Sequence, residues 1–269
     1  MGIIGIDYEF QKVYSPDELK QGNAYLKSYW NKGGLVTIVW SPANPWGKDK
    51  DYKDIQPNAS PGNIEELIIE SSKYAGWIAS LDRIAAALTD LKQAGVIVLW
   101  RPMQEMNGNW FWWGKYSFED TQKYIDIWQH MHDYLTNVKG LDNLIWVFSP
   151  SGADPTFYPY PGNEYVDIIA PTVYDDELDI DNYSELVAYG KSYGKPIAIA
   201  EYGWNFGDGT NPDGNFDNTL YVQKLKNNYP EIAYWVTWHS WYGVKASLAD
   251  NLNASQLLND PYVVNRGNL

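Results

Sequence analysis

The chain lacks cysteine entirely and has only three histidines in 269 residues. The absence of cysteine excludes disulfides, thiolate metal sites and cysteine nucleophiles. His130, His132 and His239 do not have the spacing of metal ligands, so we expect no metal and no cofactor. No run of 18 apolar residues occurs, and we therefore expect no membrane-spanning helix.

Positive charge is also scarce. Lysine and arginine total 20 against 34 aspartates and glutamates, which gives a net charge of −14 and a pI near 4.5. Nucleic acids and anionic membranes attract basic surfaces, so we expect neither as a partner, and a neutral substrate fits better. Acidic runs at residues 49–54 and 175–181 do not follow a calcium-loop pattern, and we interpret them as solvated surface.

Aromatic residues, in contrast, are abundant: the chain has 14 tryptophans and 22 tyrosines. Indole and phenol rings stack on the apolar faces of sugar rings while their N–H and O–H groups remain hydrated. The alternative is that these rings fill the core, and we expect about half to do so. The composition therefore favours a sugar-binding protein without establishing one.

The stretch that organises the chain is residues 96–114, VIVLWRPMQEMNGNWFWWG. Its apolar start, residues 96–100, has the pattern of a strand buried on both faces of a parallel sheet. Glu105 follows, and then a cluster of four aromatic residues. Aromatic rings displace water and so disfavour the charged form of a carboxyl group, as a general acid near neutral pH requires. The alternative is a loop glutamate beside an aromatic core.

A second lone carboxylate follows another strand. Residues 195–204 have the sequence KPIAIAEYGW, in which an apolar run, residues 197–200, ends at Glu201. Barrels of βα units place their chemistry just past the C-terminal ends of the strands. Two carboxylates on separate strands, rimmed by tryptophan and tyrosine, match the requirements of glycosidic bond cleavage.

The remaining pattern alternates strands with helices over a single domain, residues 1–269, and predicts an α/β fold of the TIM (β/α)8 type. Loops at 47–62 and 205–218 are expected to shape a cleft. Only seven strands are recognisable, at residues 3–10, 35–40, 96–100, 144–148, 166–173, 197–200 and 232–238. Helices are predicted at residues 17–32, 63–91 (in two pieces that meet near 74–76), 118–138 with Ser117 as its cap, 183–193, 219–228 and 255–258.

These segments resemble glycoside hydrolase family 26, whose known members are mainly β-mannanases. Arg101-Pro102, residues 105–108 and residues 110–114 are similar to the family's acid/base segment. Residues 200–203, AEYG, are similar to its nucleophile segment. Weaker similarity runs from residues 5–8 to residues 259–262, so the resemblance covers nearly the whole chain.

The resemblance also bears on the strand count. Residues 5–8 look like the family's second strand, which leaves the first strand missing and two strand edges open. Three explanations remain: a truncated sequence, a neighbouring molecule that closes the gap, or an irregular segment in its place. We expect modest stability, or a dimer across the gap.

Catalytic roles follow from the same resemblance. Glu105 is implied to be the general acid/base and Glu201 the nucleophile of a retaining double displacement, which requires the two carboxyl groups to be roughly 5–5.5 Å apart. Tyr174 matches the tyrosine that donates to the nucleophile. Trp110 resembles the aromatic residue beside the leaving-group sugar.

Further substrate-binding candidates are less specific. Trp238 is our candidate for the platform under the sugar at the cleavage point, with Trp241 as the alternative. Arg101 either orients a carboxylate or forms a structural ion pair.

The chain departs from the family pattern at three positions. Gln104 and Ser41 stand where family mannanases carry histidine, and both positions are expected to face the sugar. Thr172 stands where the family often has aspartate. The two carboxylates are intact, so these departures bear on sugar preference more than on catalysis.

The resemblance implies an endo-acting retaining β-glycanase that hydrolyses internal β-1,4 links of a plant cell-wall polysaccharide, with β-mannan as the first expectation. A mixed-linkage β-1,3-1,4-glucanase or a β-1,3-xylanase is the alternative. An inactive carbohydrate-binding barrel is a third hypothesis, but it predicts the loss of one glutamate, and both are present. We expect a secreted protein whose leader is absent from this chain, with a cytoplasmic location as the alternative.

Overall fold

A computed structural model describes residues 1–10, 12–47, 62–69, 71–114, 121–204 and 212–268. Most of the two predicted cleft loops, and the predicted helix cap at Ser117, lie outside the described residues. None of the helices in these ranges is long and apolar enough to cross a membrane.

Within the described residues the sheet contains eight strands, and every pairing between them is parallel. Their order across the sheet is β1, β2, β3, β4, β5, β7, with β6 and β8 also paired to β7. The strands are β1 (Ile3–Tyr8), β2 (Leu35–Trp40), β3 (Val98–Pro102), β4 (Leu144–Phe148), β5 (Ile168–Ile169), β6 (Thr172–Tyr174), β7 (Ile197–Gly203) and β8 (Ile232–Thr237).

Strands β5 and β6 together occupy one position in the barrel. Both pair with β7, and they are separated by Ala170 and Pro171. The prediction of one continuous strand over residues 166–173 was therefore wrong. Pro171 has no amide hydrogen to donate to the ladder, which interrupts the strand at that point. Counted by position, the described sheet has the seven strands that the sequence predicts.

The sheet curls like a TIM barrel but does not close in the described part of the chain. There β1 pairs only with β2, and β8 pairs only with β7. Gly5 and Asp7 of β1 are exposed, whereas β3 is buried throughout. The gap between β1 and β8 is where the missing strand of the barrel was expected.

In the described part of the chain, six helices lie outside the sheet: α1 (Pro16–Trp30), α2 (Ser72–Gln93), α3 (Thr121–Asp133), α4 (Tyr183–Tyr193), α5 (Asn218–Asn228) and α6 (Ala254–Leu258). Helix α1 begins with a capping box, in which Ser15 accepts from the amide of Glu18 and the Glu18 carboxylate accepts from that of Ser15. Beyond Asp133 the backbone continues as a π-helical turn, Tyr134–Val138.

The break in the predicted helix 63–91 comes earlier than expected. A 3-10 turn, Ile64–Leu67, is followed by α2, which begins after Ser71 rather than near residues 74–76. The Ser71 hydroxyl accepts from the amides of Lys73 and Tyr74, so it caps the helix at that point. The glycine near the predicted break, Gly76, lies within the first turns of α2.

The core has two layers. Inside the curled sheet the side chains are small or branched: Leu99, Val147, Ala170, Ala198 and Ala200. Between the sheet and the helices lies a larger, aromatic layer in which Trp40 stacks between Trp77 and Trp100. Among the described residues, seven of the 14 tryptophans but only six of 20 tyrosines are buried, so fewer of these rings than the expected half lie in the core.

Two strand boundaries differ from the sequence prediction in a way that matters for the site. Strand β3 begins and ends two residues later than predicted, so Arg101 lies inside it. Strand β7 continues through Glu201 to Gly203, so Glu201 is a residue of the strand rather than of the loop after it. Glu201 is thereby paired in register with Thr172 of β6.

Candidate active site

The segment after β3 turns sharply and carries Glu105 back over the end of the sheet. Met103 and Glu105 have left-handed backbone conformations, with φ of 48° and 55°. Such conformations are costly for residues other than glycine and persist where the surroundings enforce them. Here the Met103 amide donates to the carbonyl of Trp40 at 2.9 Å, and the Glu105 amide donates to that of Ser149 at 2.7 Å. Neighbouring strands β2 and β4 therefore fix the position of Glu105.

Asn107 fixes the same loop to the segment after β4. Its side-chain amide donates to the carbonyl of Ser151, and the Ser151 amide donates back to its Oδ1, both at 2.7 Å. Asn107 therefore has a loop-shaping contact.

Both carboxyl oxygens of Glu105 accept hydrogen bonds. The indole N–H of Trp110 donates to Oε2, and the hydroxyl of Thr172 donates to Oε1, each at 2.6 Å. Glu105 is 8% exposed. Burial, and after it the negative charge of Glu201, raises the pKa of Glu105 from 4.5 to about 7 despite these two donors. A large fraction of the molecules therefore carry a proton on Glu105 at neutral pH.

Glu201 has a different environment. The hydroxyl of Tyr174 donates to Oε2 at 2.7 Å, and the guanidinium of Arg101 contacts Oε1 at 3.1 Å. Arg101 is buried and also donates to the hydroxyl of Ser149 at 3.3 Å. A fixed cation and a phenol donor suit a carboxylate anion. Of the two roles considered for Arg101, this contact favours the orientation of a carboxylate.

An aromatic wall adjoins Glu201. Trp238, the residue after β8, donates its indole N–H to the phenol oxygen of Tyr174. The centre of its ring lies 6.1 Å from that of Trp241, a residue that is 43% exposed. The imidazole of His239 lies 5.4 Å from the Trp238 ring and 6.0 Å from the Trp241 ring. The structure thus brings both platform candidates to the same side of the site as Glu201.

Gln104 and Ser41 contact each other. The Gln104 amide donates to the Ser41 hydroxyl at 3.0 Å, and both residues are buried. The main-chain carbonyl of Gln104 accepts a hydrogen bond from the indole N–H of Trp113 at 2.7 Å. Gln104 and Ser41 therefore form a neutral, hydrogen-bonded pair next to Glu105 in the chain.

Two contributors to the site were not proposed from the sequence as site residues. Thr172 was noted only as a departure from the family pattern, although it lies two residues before Tyr174, at the correct end of a strand. Ser149, the residue after the strand predicted at 144–148, was given no role, yet it contacts both the Glu105 amide and Arg101. An expectation that each strand's last residues face the site would have found both.

The arrangement places a carboxylic acid that is partly protonated at neutral pH next to a carboxylate with two donors. Thr172 links the two groups, because it is the strand partner of Glu201 and its hydroxyl contacts Glu105. This is the complement of groups used for acid-assisted nucleophilic displacement at a sugar carbon. No group of three or more carboxylate or imidazole side chains suited to a metal ion is found within the described ranges.

Comparison with known proteins identifies relatives along the whole chain. Curated relatives include mannan endo-1,4-beta-mannosidase A and B of Caldalkalibacillus mannanilyticus, 37% identical over 100% of this chain and 52% of that protein. A mannan endo-1,4-beta-mannosidase of Bacillus subtilis is 36% identical over 92% of this chain and 66% of that protein. The chain thus spans between about half and two thirds of the length of these relatives.

Solved structures show the same fold. The structure of Bacillus subtilis mannanase man26 superposes with a TM-score of 0.83 at 30% identity, over 99% of this chain and 78% of that chain. Residues 3–268 match the sequence profile of Glycosyl hydrolase family 26. By the extent of that match and the identity to its members, the chain belongs to glycosyl hydrolase family 26.

Proposed function

We propose that this protein is an endo-acting retaining β-glycanase that hydrolyses internal β-1,4 links of β-mannan, and that residues 1–269 form one catalytic domain. The observation that carries the proposal is the pairing of Glu105, protonated up to about pH 7, with Glu201, whose oxygens accept from Tyr174 and Arg101. The names of the relatives at 35–37% identity support the choice of mannan.

In the first step, a carboxylate oxygen of Glu201 attacks the anomeric carbon. The bond from that carbon to the glycosidic oxygen breaks, and the proton of Glu105 passes to the departing oxygen. In the second step, water attacks the same carbon, Glu105 takes up a proton from the water, and Glu201 leaves as a carboxylate. Trp110 lies at the rim beside Glu105 and contacts the leaving sugar, while Trp238 supports the sugar at the cleavage point, with Trp241 as the alternative platform.

The experiment is reducing-sugar release from glucomannan, galactomannan, barley β-glucan and β-1,3-xylan. We expect mannan cleavage by the native protein and its loss in Glu105→Gln and in Glu201→Gln. Glu185→Gln, which removes an exposed carboxylate at the start of α4, is the matched control. Silence on every polymer from a folded protein would reject the proposal in favour of the inactive, carbohydrate-binding alternative.

Retention is tested separately. An activated 2-fluoro glycoside should leave a covalent sugar adduct on Glu201, seen by mass spectrometry, and none in Glu201→Gln. First-formed product of inverted configuration by NMR would contradict the double displacement.

The second candidate is a mixed-linkage β-1,3-1,4-glucanase or a β-1,3-xylanase. The observation in its favour is the Ser41–Gln104 pair, which places an amide and a hydroxyl group, and no imidazole, at the residue before Glu105 and at its hydrogen-bond partner. Amide and hydroxyl groups recognise sugar hydroxyls in a geometry of their own, so sugar preference can differ while the carboxylates act unchanged. Cleavage of β-glucan or xylan alone in the same panel would establish this candidate.

Two further features belong to the proposal. A polymer substrate is met outside cells, which supports secretion, and fractionation of a producing culture tests it. The unpaired edges of β1 and β8 support a dimer across the gap. Sedimentation should then show a dimer, whereas a monomer with a high melting temperature would contradict it.

A further inference from the structure

Thr172 connects the two carboxylates of the site. In the sheet it is the register partner of Glu201, and its hydroxyl lies 2.6 Å from Oε1 of Glu105. Its side chain is uncharged, so it separates two carboxyl groups without adding a third negative charge between them.

The backbone of Thr172 is held on both sides, which fixes the direction of its hydroxyl. Its amide donates to the carbonyl of Pro150 at 2.8 Å, and its carbonyl accepts from the amide of Gly152 at 2.9 Å. The residue is 1% exposed. Water therefore does not compete for the hydroxyl, and Glu105 is its partner.

The two oxygens of Glu105 differ in their surroundings. Oε2 accepts from the indole of Trp110, a residue 42% exposed at the rim of the site. Oε1 is on the side of buried Thr172. A departing glycosidic oxygen approaches from the open side, so Oε2 is the oxygen that must face it to deliver the proton.

We propose that Thr172 is a positioning residue for proton transfer: by its hydrogen bond to Oε1 of Glu105, the buried hydroxyl holds the carboxyl group in the orientation that turns Oε2 toward the open side of the site. This inference rests on the function proposed above. A hydroxyl suits the task because it donates to Oε1 both before the transfer, when Oε1 is the carbonyl oxygen of the acid, and after it, when the group is a carboxylate. The proton leaves Oε2 for the glycosidic oxygen as the bond to the anomeric carbon breaks.

Valine at position 172 tests the proposal because it keeps the shape and removes the hydroxyl. The donor stabilises the ionised form of Glu105 more than the neutral form, so its loss should raise the pKa of Glu105 by about one unit. Turnover on the acid plateau should nevertheless fall about tenfold, since the carboxyl group of Glu105 is no longer held in the orientation for proton transfer. A higher pKa with slower turnover is a combination that simple misfolding does not produce.

Two companion variants complete the design. Thr172→Ser retains the hydroxyl and should restore both the pH profile of kcat/KM and the turnover. Thr37→Val removes another hydroxyl hydrogen bond, the one to the carbonyl of Leu99 at 3.0 Å, in a buried residue away from Glu105, and should change neither. The inference would be overturned if the alkaline limb of the kcat/KM profile did not move in Thr172→Val. It would also be overturned if turnover in Thr172→Ser were no faster than in Thr172→Val.

Failure of the proposed function is distinguishable from failure of this inference. The Glu105 carboxyl can be titrated by carbon-13 NMR without substrate, comparing the native protein with Thr172→Val. A native protein inactive on every glycan would reject the function, while the NMR shift still reports the Thr172 contact. Active native protein with identical titrations in both forms would reject the role of Thr172 alone.

Discussion

Tyr174 and Glu201 are joined by a hydrogen bond of 2.7 Å, in which the phenol donates to Oε2 of the carboxylate. The same phenol oxygen accepts from the indole N–H of Trp238. The chain of donors runs in one direction, from Trp238 through Tyr174 to Glu201, so each bond polarises the next toward the carboxylate. Burial and the charge of Glu201 raise the pKa of Tyr174, which keeps it a donor throughout the working pH range.

Removal of that phenol should slow turnover. In Tyr174→Phe the nucleophile loses one of its two donors and its orientation, and we expect turnover to fall about 10- to 100-fold. Tyr134→Phe is the control, because it removes a tyrosine bond to a carboxylate, that of Asp82 at 2.6 Å, on the outer helices. Equal kinetic effects in the two variants would count against a role at Glu201.

Arg101 should be sensitive even to a change that keeps its charge. One guanidinium nitrogen contacts Ser149 and another contacts Glu201, a geometry that the single ammonium of lysine does not reproduce. Arg101→Lys should lower turnover about tenfold. Arg83→Lys alters another ion pair, that of a partly exposed arginine with buried Glu9 at 2.7 Å, and should affect melting temperature but not turnover per folded molecule. If Arg101→Lys and Arg83→Lys had the same turnover per folded molecule, Arg101 would have a structural role only.

The raised pKa of Glu105 predicts how stability depends on pH. Between 4.5 and about 7 the folded protein holds a proton that the unfolded chain has released. The free energy of unfolding therefore falls as pH rises through this window, by about 3 kcal/mol in total for this group. Below pH 4.5 the group is neutral in both states and contributes no such difference.

Glu105→Gln should therefore be more stable than the native protein at pH 8.5, and this advantage should vanish near pH 4. The amide fits the site, since its oxygen can accept from Trp110 while its N–H donates to Thr172. Unfolding by urea at both pH values measures the difference. Glu185→Gln corrects for the loss of one negative charge from an acidic protein, and an advantage of equal size at both pH values would refute the explanation.

Sequence reasoning located the two glutamates because each follows an apolar run that reads as a buried strand, and the family assignment is confirmed. The apolar runs did not give the strand boundaries correctly. Strand β3 continues through Arg101 and Pro102, although a charged residue followed by proline is typical of the end of a strand. At residues 166–173 the apolar pattern predicted one strand where the structure has two short ones. Pro171 lacks the amide hydrogen that a continuous strand would need at that position.

Contacts between strands were beyond prediction. The bond from Thr172 to Glu105 joins positions 67 residues apart and depends on the register of β6 with β7, which periodicity does not specify. The left-handed conformation of Glu105 is likewise imposed by the carbonyl of Ser149, a tertiary contact. The roles of Gln104, Ser41, Trp110, Trp238 and Trp241 toward a sugar remain predictions.

Gly203, at the end of β7, offers a test of the Tyr174–Glu201 hydrogen bond that leaves both of these residues unchanged. A Cβ added at Gly203 would lie 2.5 Å from the Tyr174 ring and 3.1 Å from that of Trp238. Gly203→Ala should therefore push the phenol away from Glu201 and slow turnover as Tyr174→Phe does. Gly190→Ala is the control, because its Cβ would meet Ile197 at 2.5 Å, a clash of similar severity away from the carboxylates.

The double variant decides whether the effect passes through the phenol. If Gly203→Ala acts by displacing Tyr174, adding it to Tyr174→Phe should cost little further turnover, since the bond to Glu201 is already absent. Overpacking should cost about 1–3 kcal/mol of stability in Gly203→Ala and in Gly190→Ala alike. Only Gly203→Ala should combine that loss with slow turnover. Independent, multiplicative losses in the double variant would mean that Gly203→Ala disturbs Trp238 or Glu201 directly.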